Sequence, residues 1–267
     1  MMLQEPPESP YDLRFDFLGF PVRVSWSFWL GALIFGWSLV NFFANLPGSP
    51  GKLALLLIWS ACMFVSILIH ELGHALAFRR YGVHSSIVLY HFGGLAIPQG
   101  SSPGSAFGTS FTGRRSDIEN LWIAIAGPAA QLASAFIVVA VVKMAGYQVF
   151  AFHLMPYPIS AIPGVADGQP IQNVALLALV TSYVFPSVLW AILNLVPVFP
   201  LDGGRIMKSL VLMNGGRTET WLWISLISAS VGAYYGFTTH SMLLGMLFLS
   251  FAITNYQMLD SFRGRRF

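Results

Sequence analysis

Residues 59–74 read Trp-Ser-Ala-Cys-Met-Phe-Val-Ser-Ile-Leu-Ile-His-Glu-Leu-Gly-His, an almost uninterrupted apolar run that ends in two histidines and a glutamate. The run lies within a longer apolar stretch, residues 53–78, which exceeds the roughly 20 residues that a helix needs to cross a bilayer. Ionisable side chains inside a bilayer are costly and usually serve a function. The stretch therefore predicts a transmembrane helix that carries a functional site.

The composition of the whole chain agrees with a membrane protein. Of its 267 residues, 55% are hydrophobic and only 9% are charged, whereas a soluble domain carries about a quarter charged residues. The sequence predicts a cytoplasmic N-terminal segment (1–23), a single transmembrane domain (24–259) and a short basic tail (260–267). The spans are predicted at about 24–44, 53–78, 121–143, 174–198, 220–237 and 241–259.

One connection does not look helical. Residues 83–98, between the second and third spans, are rich in β-branched and aromatic side chains and contain the pair Gly93-Gly94. This pattern favours strands and a hairpin. The predicted fold class is therefore an all-α polytopic membrane protein of about six helices, with a small membrane-associated β-hairpin or sheet between helices 2 and 3.

The basic residues indicate the orientation. With a cytoplasmic N-terminus and six spans, two of the 14 lysines and arginines, Lys52 and Lys143, lie outside the cell. The other twelve lie on the cytoplasmic side: Arg14, Arg23, Arg79, Arg80, Arg114, Arg115, Arg205, Lys208, Arg217, Arg263, Arg265 and Arg266. Such a bias is typical of cytoplasmic loops. We expect an integral multi-pass protein of the cell (plasma or inner) membrane with both termini cytoplasmic, and no nucleic-acid partner.

The residues His70-Glu71-Leu72-Gly73-His74 fit the H-E-x-x-H pattern. On a helix, histidines four residues apart project from one face, so both imidazoles can meet one Zn²⁺ ion. Glu71 lies one step round the helix, where it can reach a water molecule beside the metal and accept its proton. A pair of hydrogen-bonded helix histidines is the plainer alternative, but the depth of the motif in an apolar span favours a metal site.

A catalytic zinc ion usually has three protein ligands and one open position. Asp202 is the candidate for the third ligand, because it follows the fourth span, which Pro197 and Pro200 should break. On the predicted threading it lies on the same side of the membrane as His74. The alternative is that Asp202 only caps the helix that follows it.

Taken together, residues 70–74, Gly93-Gly94, Gly127-Pro128 and the segment 194–204 resemble the site-2 protease family of intramembrane zinc metalloproteases. The resemblance is clearest over residues 53–210 and corresponds to a compact form without PDZ or regulatory nucleotide-binding domains. It implies one zinc ion per chain, held by His70, His74 and Asp202, with Glu71 as general base. It also implies that Asn194, Gly93 and Gly94 bind the substrate.

The resemblance implies hydrolysis of peptide bonds in single-span membrane proteins, within the lipid bilayer, in regulated intramembrane proteolysis. The alternative is a metal-ion transporter or channel in which His70 and His74 line the ion path. A di-iron desaturase or hydroxylase needs more clustered histidines than this chain offers, and ranks last. The sequence does not indicate the substrate's identity or the oligomeric state.

Overall fold

The computed structural model describes residues 6–91, 93–98, 116–165 and 167–264. Over these ranges the chain is mostly helical with one four-stranded sheet, which confirms the predicted fold class. Four arginines used above for the orientation, Arg114, Arg115, Arg265 and Arg266, lie outside the described residues.

The described residues form seven α-helices. These are α1 (Trp26–Ala44), α2 (Lys52–Arg80), α3 (Asp117–Met144), α4 (Val174–Asn194), α5 (Asp202–Met213), α6 (Thr218–Thr238) and α7 (Met242–Gly264). Two short 3-10 helices, Phe150–Leu154 and Ile159–Ala161, lie between α3 and α4.

Within the described ranges, five helices are long and apolar enough to cross a membrane: α1, α2, α3, α4 and the stretch Met242–Phe262 of α7. The chain is an integral membrane protein. Residues 220–237, the fifth predicted span, also form a helix, α6, but its glutamate, serines, threonines and glycines lower its hydropathy, so α6 is not among these five. Its crossing of the membrane stays a prediction.

The contacts divide the chain into two compact units. One comprises the described residues within 6–98 and 129–191, and the other comprises those within 116–128 and 192–264. The first unit contains the sheet and the histidine motif, and the second contains the segment that carries Asp202.

The sheet of the first unit has the order β1-β2-β3-β4, with strands β1 (Leu13–Phe17), β2 (Phe20–Val24), β3 (Ser85–Tyr90) and β4 (Gly93–Pro98). The β1–β2 and β3–β4 pairs are antiparallel, and β2 runs parallel to β3. The sheet was predicted between the second and third spans, and the N-terminal hairpin of β1 and β2 enlarges it. Because β2 and β3 are separated by two helices in the chain, local sequence patterns do not reveal their pairing.

The sheet packs on the first two helices. Phe20, Val22 and Val24 of β2 and Ile87 and Leu89 of β3 are buried in one apolar cluster. The same cluster contains side chains of α1, such as Phe28 and Val40, and of α2, such as Met63 and Ile67. This packing holds the strands beside the half of α2 that carries the motif.

In the second unit, a non-helical segment joins α4 to α5. Helix α4 ends at Asn194, and residues 195–201, which include Pro197 and Pro200, lead directly into α5. The fourth span was predicted to end at residue 198, but helix α4 ends four residues earlier. Prolines remove backbone donors that a helix needs, which explains the break.

Candidate metal centre

His70 and His74 lie on one face of α2 and are both buried. Their Nε2 atoms are 3.2 Å apart. Two imidazole nitrogens that bind one zinc ion at about 2.0–2.1 Å in tetrahedral geometry lie about 3.4 Å from each other. The pair therefore fits a shared zinc ion through Nε2 of each ring.

Gln131 of α3 fixes the other side of the His70 ring. Its Oε1 lies 2.9 Å from Nδ1 of His70, and its side chain has no exposed surface. An amide oxygen only accepts hydrogen bonds, so this contact places the hydrogen on Nδ1 and directs the Nε2 lone pair to the metal position. Sequence reasoning missed Gln131. The signal was a lone amide inside the third apolar span, where polar residues tend to be functional.

The Gln131 amide also belongs to a buried chain of hydrogen bonds. Its Nε2 donates to Oγ of Ser66 at 2.9 Å, and the hydroxyls of Ser66 and Ser187 are 2.7 Å apart. The Ser187 hydroxyl donates to the backbone oxygen of Tyr183 at 2.6 Å. Because Nε2 of Gln131 donates into this chain, the amide is held in one orientation, with its oxygen toward His70.

Glu71 is buried against the backbone of β4. A methyl group added at Gly94 would lie 2.3 Å from Cγ of Glu71 and 2.7 Å from its Oε1. Only glycine permits this approach. At Gly93, φ is +125° and an added methyl group would meet the Trp190 ring at 3.0 Å. The structure therefore brings Gly94 to Glu71, which is the residue predicted to act as the base, and Gly93 to the Trp190 ring.

Asp202 is the first residue of α5, and it is buried. Leu201 occupies the N-cap position of the helix, without a side-chain capping hydrogen bond, so Asp202 is not the N-cap residue. The chain folds back tightly here, because added methyl groups at Gly203 and Gly204 would collide with the backbone of residues 195 to 199 at 2.2–2.6 Å. A carboxylate in the first turn of a helix is also favoured by the helix dipole.

His70 and His74 belong to the first unit and Asp202 belongs to the second, and all three side chains are buried. Asn194, predicted to bind substrate, is the half-buried last residue of α4. The substrate-binding roles of Asn194, Gly93 and Gly94 stay predictions.

The sequence model of peptidase family M50 matches residues 58–234, about two thirds of the chain. The chain belongs to peptidase family M50. This confirms the resemblance to the site-2 proteases and does not favour a metal transporter.

Three relatives support the membership. A candidate zinc metalloprotease of Synechocystis sp. is 31% identical over 223 residues, which cover 81% of this chain and 47% of the relative. Rip3, a candidate zinc metalloprotease of Mycobacterium tuberculosis, is 30% identical over 208 residues, which cover 74% of this chain and 43% of Rip3. A zinc metalloprotease of Methanocaldococcus jannaschii is 26% identical over 229 residues, with 83% and 51% covered.

The chain thus spans about half the length of the curated relatives that it matches. Among solved structures, a site-2 protease from Methanocaldococcus jannaschii aligns over 93% of this chain and 95% of its own, with 20% sequence identity and a TM-score of 0.48.

Proposed function

We propose that this chain is an intramembrane zinc metalloprotease that hydrolyses peptide bonds of membrane-spanning proteins. The observation that carries the proposal is the arrangement around α2. Two buried histidines offer Nε2 atoms 3.2 Å apart, and the intervening Glu71 lies against the backbone of an edge strand. A metal-binding pair, a carboxylate and a strand edge are the parts that peptide hydrolysis needs.

We assign one zinc ion per chain to His70, His74 and Asp202. Two imidazole nitrogens and a carboxylate oxygen are a common donor set of catalytic zinc sites, and all three side chains are buried. When bound, zinc supplies Lewis acidity toward a peptide carbonyl and lowers the pKa of a water molecule toward about 7. Gln131 keeps the His70 ring in the tautomer that offers Nε2 to the ion.

Glu71 is the general base in this proposal. Its carboxylate accepts a proton from the attacking water and later delivers it to the amine that leaves. The Glu71 side chain approaches the Gly94 backbone, so a peptide beside β4 would reach both the base and a metal ion held by the neighbouring histidines.

The substrate is a single-span membrane protein whose helix has locally unwound. In the described sheet, β4 pairs with β3 on one side only, so its other edge can add an extended peptide. Backbone groups that lose their helical partners in a bilayer need new ones. We assign this pairing to the strand at Gly93 and Gly94, with the Asn194 amide as a further donor and acceptor.

We place the protein in the cell (plasma or inner) membrane, with residues 1–23 and 260–267 on the cytoplasmic side. The bias of twelve basic residues against two supports this orientation. The site then acts near the cytoplasmic face, because Arg79 and Arg80 end the helix that carries the motif.

The proposal is tested with purified protein and a single-span substrate in liposomes. Removal of zinc with a chelator should abolish cleavage, and one equivalent of zinc should restore it. Mass spectrometry should place the cut inside the apolar span of the substrate, and the same peptide without its span should stay intact. Cleavage that persists in the metal-free protein would contradict the proposal.

A further inference from the structure

The segment that precedes Asp202 is held by side chains from the last two helices of the chain, α6 and α7. Oγ of Ser225, on α6, accepts the backbone N–H of Phe199 at 2.7 Å. Nδ2 of Asn255, on α7, donates to the backbone oxygen of the same Phe199 at 2.6 Å. The Ser225 hydroxyl in turn donates to Oδ1 of Asn255 at 2.8 Å. Both backbone groups of one residue are thus bound by a two-residue clamp, Ser225 and Asn255.

The clamp is completely buried and fully satisfied. Neither Ser225 nor Asn255 has any exposed surface. The second amide hydrogen of Asn255 is donated to the backbone oxygen of Phe251 at 2.8 Å. A buried polar side chain without partners is strongly unfavourable in an apolar helix pair, so this arrangement depends on the Phe199 backbone being present.

Packing between α6 and α7 does not require these polar groups. The helices meet through apolar side chains and alanines, among them Ala229, Ala233, Phe248 and Phe251. Apolar residues at the two clamp positions would serve such an interface equally well. The polar atoms are instead directed at a non-helical segment whose backbone has lost its helical partners.

Phe199 is tied closely to Asp202. A methyl group added at Gly204, in the first turn of α5, would lie 2.3 Å from the Phe199 nitrogen. The Leu201 N–H donates to the Val198 oxygen at 2.9 Å, and the Arg205 N–H donates to the Leu201 oxygen at 3.2 Å. A shift of the Phe199 backbone therefore moves the start of α5, where the Asp202 carboxylate originates.

We propose that Ser225 and Asn255 are positioning residues that hold the Phe199 backbone and so aim the Asp202 carboxylate at the metal. This proposal rests on the proposed function, because it takes Asp202 as a zinc ligand. It gives α6 and α7 a part in the site, although the family resemblance noted above is clearest over residues 53–210 only.

The test is the zinc affinity of purified variants, measured by competition with a chelator of known affinity. Ser225→Ala and Asn255→Leu should each weaken zinc binding about tenfold, the lower end of the 10–100-fold losses typical of outer-shell partners. Two control substitutions on the same helices should leave the affinity within about twofold of wild type. Thr254→Val removes a hydroxyl that bonds only to its own helix, at Ser250, and Ser230→Ala does the same at Leu226.

A double-mutant cycle separates aiming of Asp202 from general destabilisation. If the clamp acts through Asp202, Ser225→Ala should cause no further loss of zinc affinity in an Asp202→Asn protein. An equal loss in both backgrounds would overturn the proposal. Wild-type zinc affinity in folded Ser225→Ala and Asn255→Leu proteins would also overturn it. Zinc-dependent cleavage by those same proteins would leave the proposed function standing.

A second measurement does not depend on zinc. Cys62 is the only cysteine, so a Cys62→Ala protein with Leu201→Cys reports on the segment through the rate of thiol labelling. Adding Ser225→Ala should speed labelling severalfold, and adding Thr254→Val should not. An unchanged labelling rate would overturn the clamp, whether or not the protein binds zinc. A wild-type protein that binds no zinc would instead reject the proposed function.

Discussion

Nδ1 of His70 lies 2.9 Å from Oε1 of Gln131, two side chains that are 61 residues apart in the chain and both buried. The contact decides which ring nitrogen carries hydrogen, and hence which one can bind a metal ion. In the proposed site, Gln131 would therefore control the geometry of a zinc ligand without touching the metal itself.

The first prediction concerns this contact. Gln131→Leu removes the acceptor of the His70 hydrogen, and we expect zinc affinity to fall about tenfold or more, as is usual when the partner of a metal-binding histidine is lost. The measurement is chelator competition on the purified variant. Ser187→Ala is the matched control, because it shortens the same hydrogen-bond chain at its far end and leaves the Gln131–His70 contact in place. Equal affinity of the Gln131→Leu and wild-type proteins would refute the role of Gln131.

The second prediction concerns the approach of β4 to the base. In Gly94→Ala the new methyl group has no room, since it would lie 2.3 Å from Cγ of Glu71. Either the strand or the Glu71 side chain must move, and a displacement of about 1 Å can cost about 100-fold in rate. We expect kcat/KM to fall by about that factor while zinc content is unchanged. Ala96→Gly, two residues along the same strand, should retain most activity, and wild-type activity in Gly94→Ala would show that β4 does not position Glu71.

The third prediction concerns pH and the N-terminal segment. Arg23 Nη1 lies 3.0 Å from Oδ2 of Asp12, whose side chain has no exposed surface. Burial raises the pKa of Asp12, but hydrogen bonds from the Ser9 N–H, the Arg23 side chain and the Trp26 N–H outweigh it, so the pKa lies below its ordinary 3.8. Because the folded pKa is lower than the unfolded one, the stabilisation is present above the unfolded pKa and is lost as pH falls through the folded pKa.

Asp12→Asn should therefore lower the free energy of unfolding at pH 7 by about 1 kcal/mol, a value reduced for the nearness of solvent. Thermal unfolding measured from pH 7 downward should show the difference from wild type shrinking below pH 3.8. Asp16→Asn, at an exposed position of β1, serves as control and should match wild type throughout. A constant difference at all pH values would show that the carboxylate charge is not responsible.

How much the sequence could predict depended on how local each feature is. His70, Glu71 and His74 lie close together on one helix, so their spacing alone placed two histidines and a glutamate there as candidate ligands and base. The break after Asn194 was also local, because Pro197 and Pro200 forbid a regular helix. The strands at residues 85–98 could be predicted from β-branched residues and the glycine pair.

Other features depend on contacts between distant segments. The parallel pairing of β2 with β3 joins strands on either side of two helices, and no periodicity in either strand specifies its partner. Gln131 and Asn255 are single polar residues in apolar helices, which marks them as notable but does not say what they bond to. The span predicted at residues 220–237 forms helix α6, whose polar content keeps it outside the five helices that length and composition mark as candidate spans, so its crossing of the membrane stays a prediction.

The most direct test of the central claim is a comparison of wild type with Glu71→Gln, each loaded with one zinc ion and mixed with the same single-span substrate. The amide keeps the size of the side chain but cannot accept a proton. We expect equal zinc content and a fall in cleavage of at least about 100-fold, within the range that general bases supply. Glu119→Gln, at a half-buried glutamate of α3 whose carboxylate accepts the Ser116 N–H, should behave as wild type. Undiminished cleavage by pure, zinc-loaded Glu71→Gln would contradict the assignment of Glu71 as the base and with it the proposed mechanism.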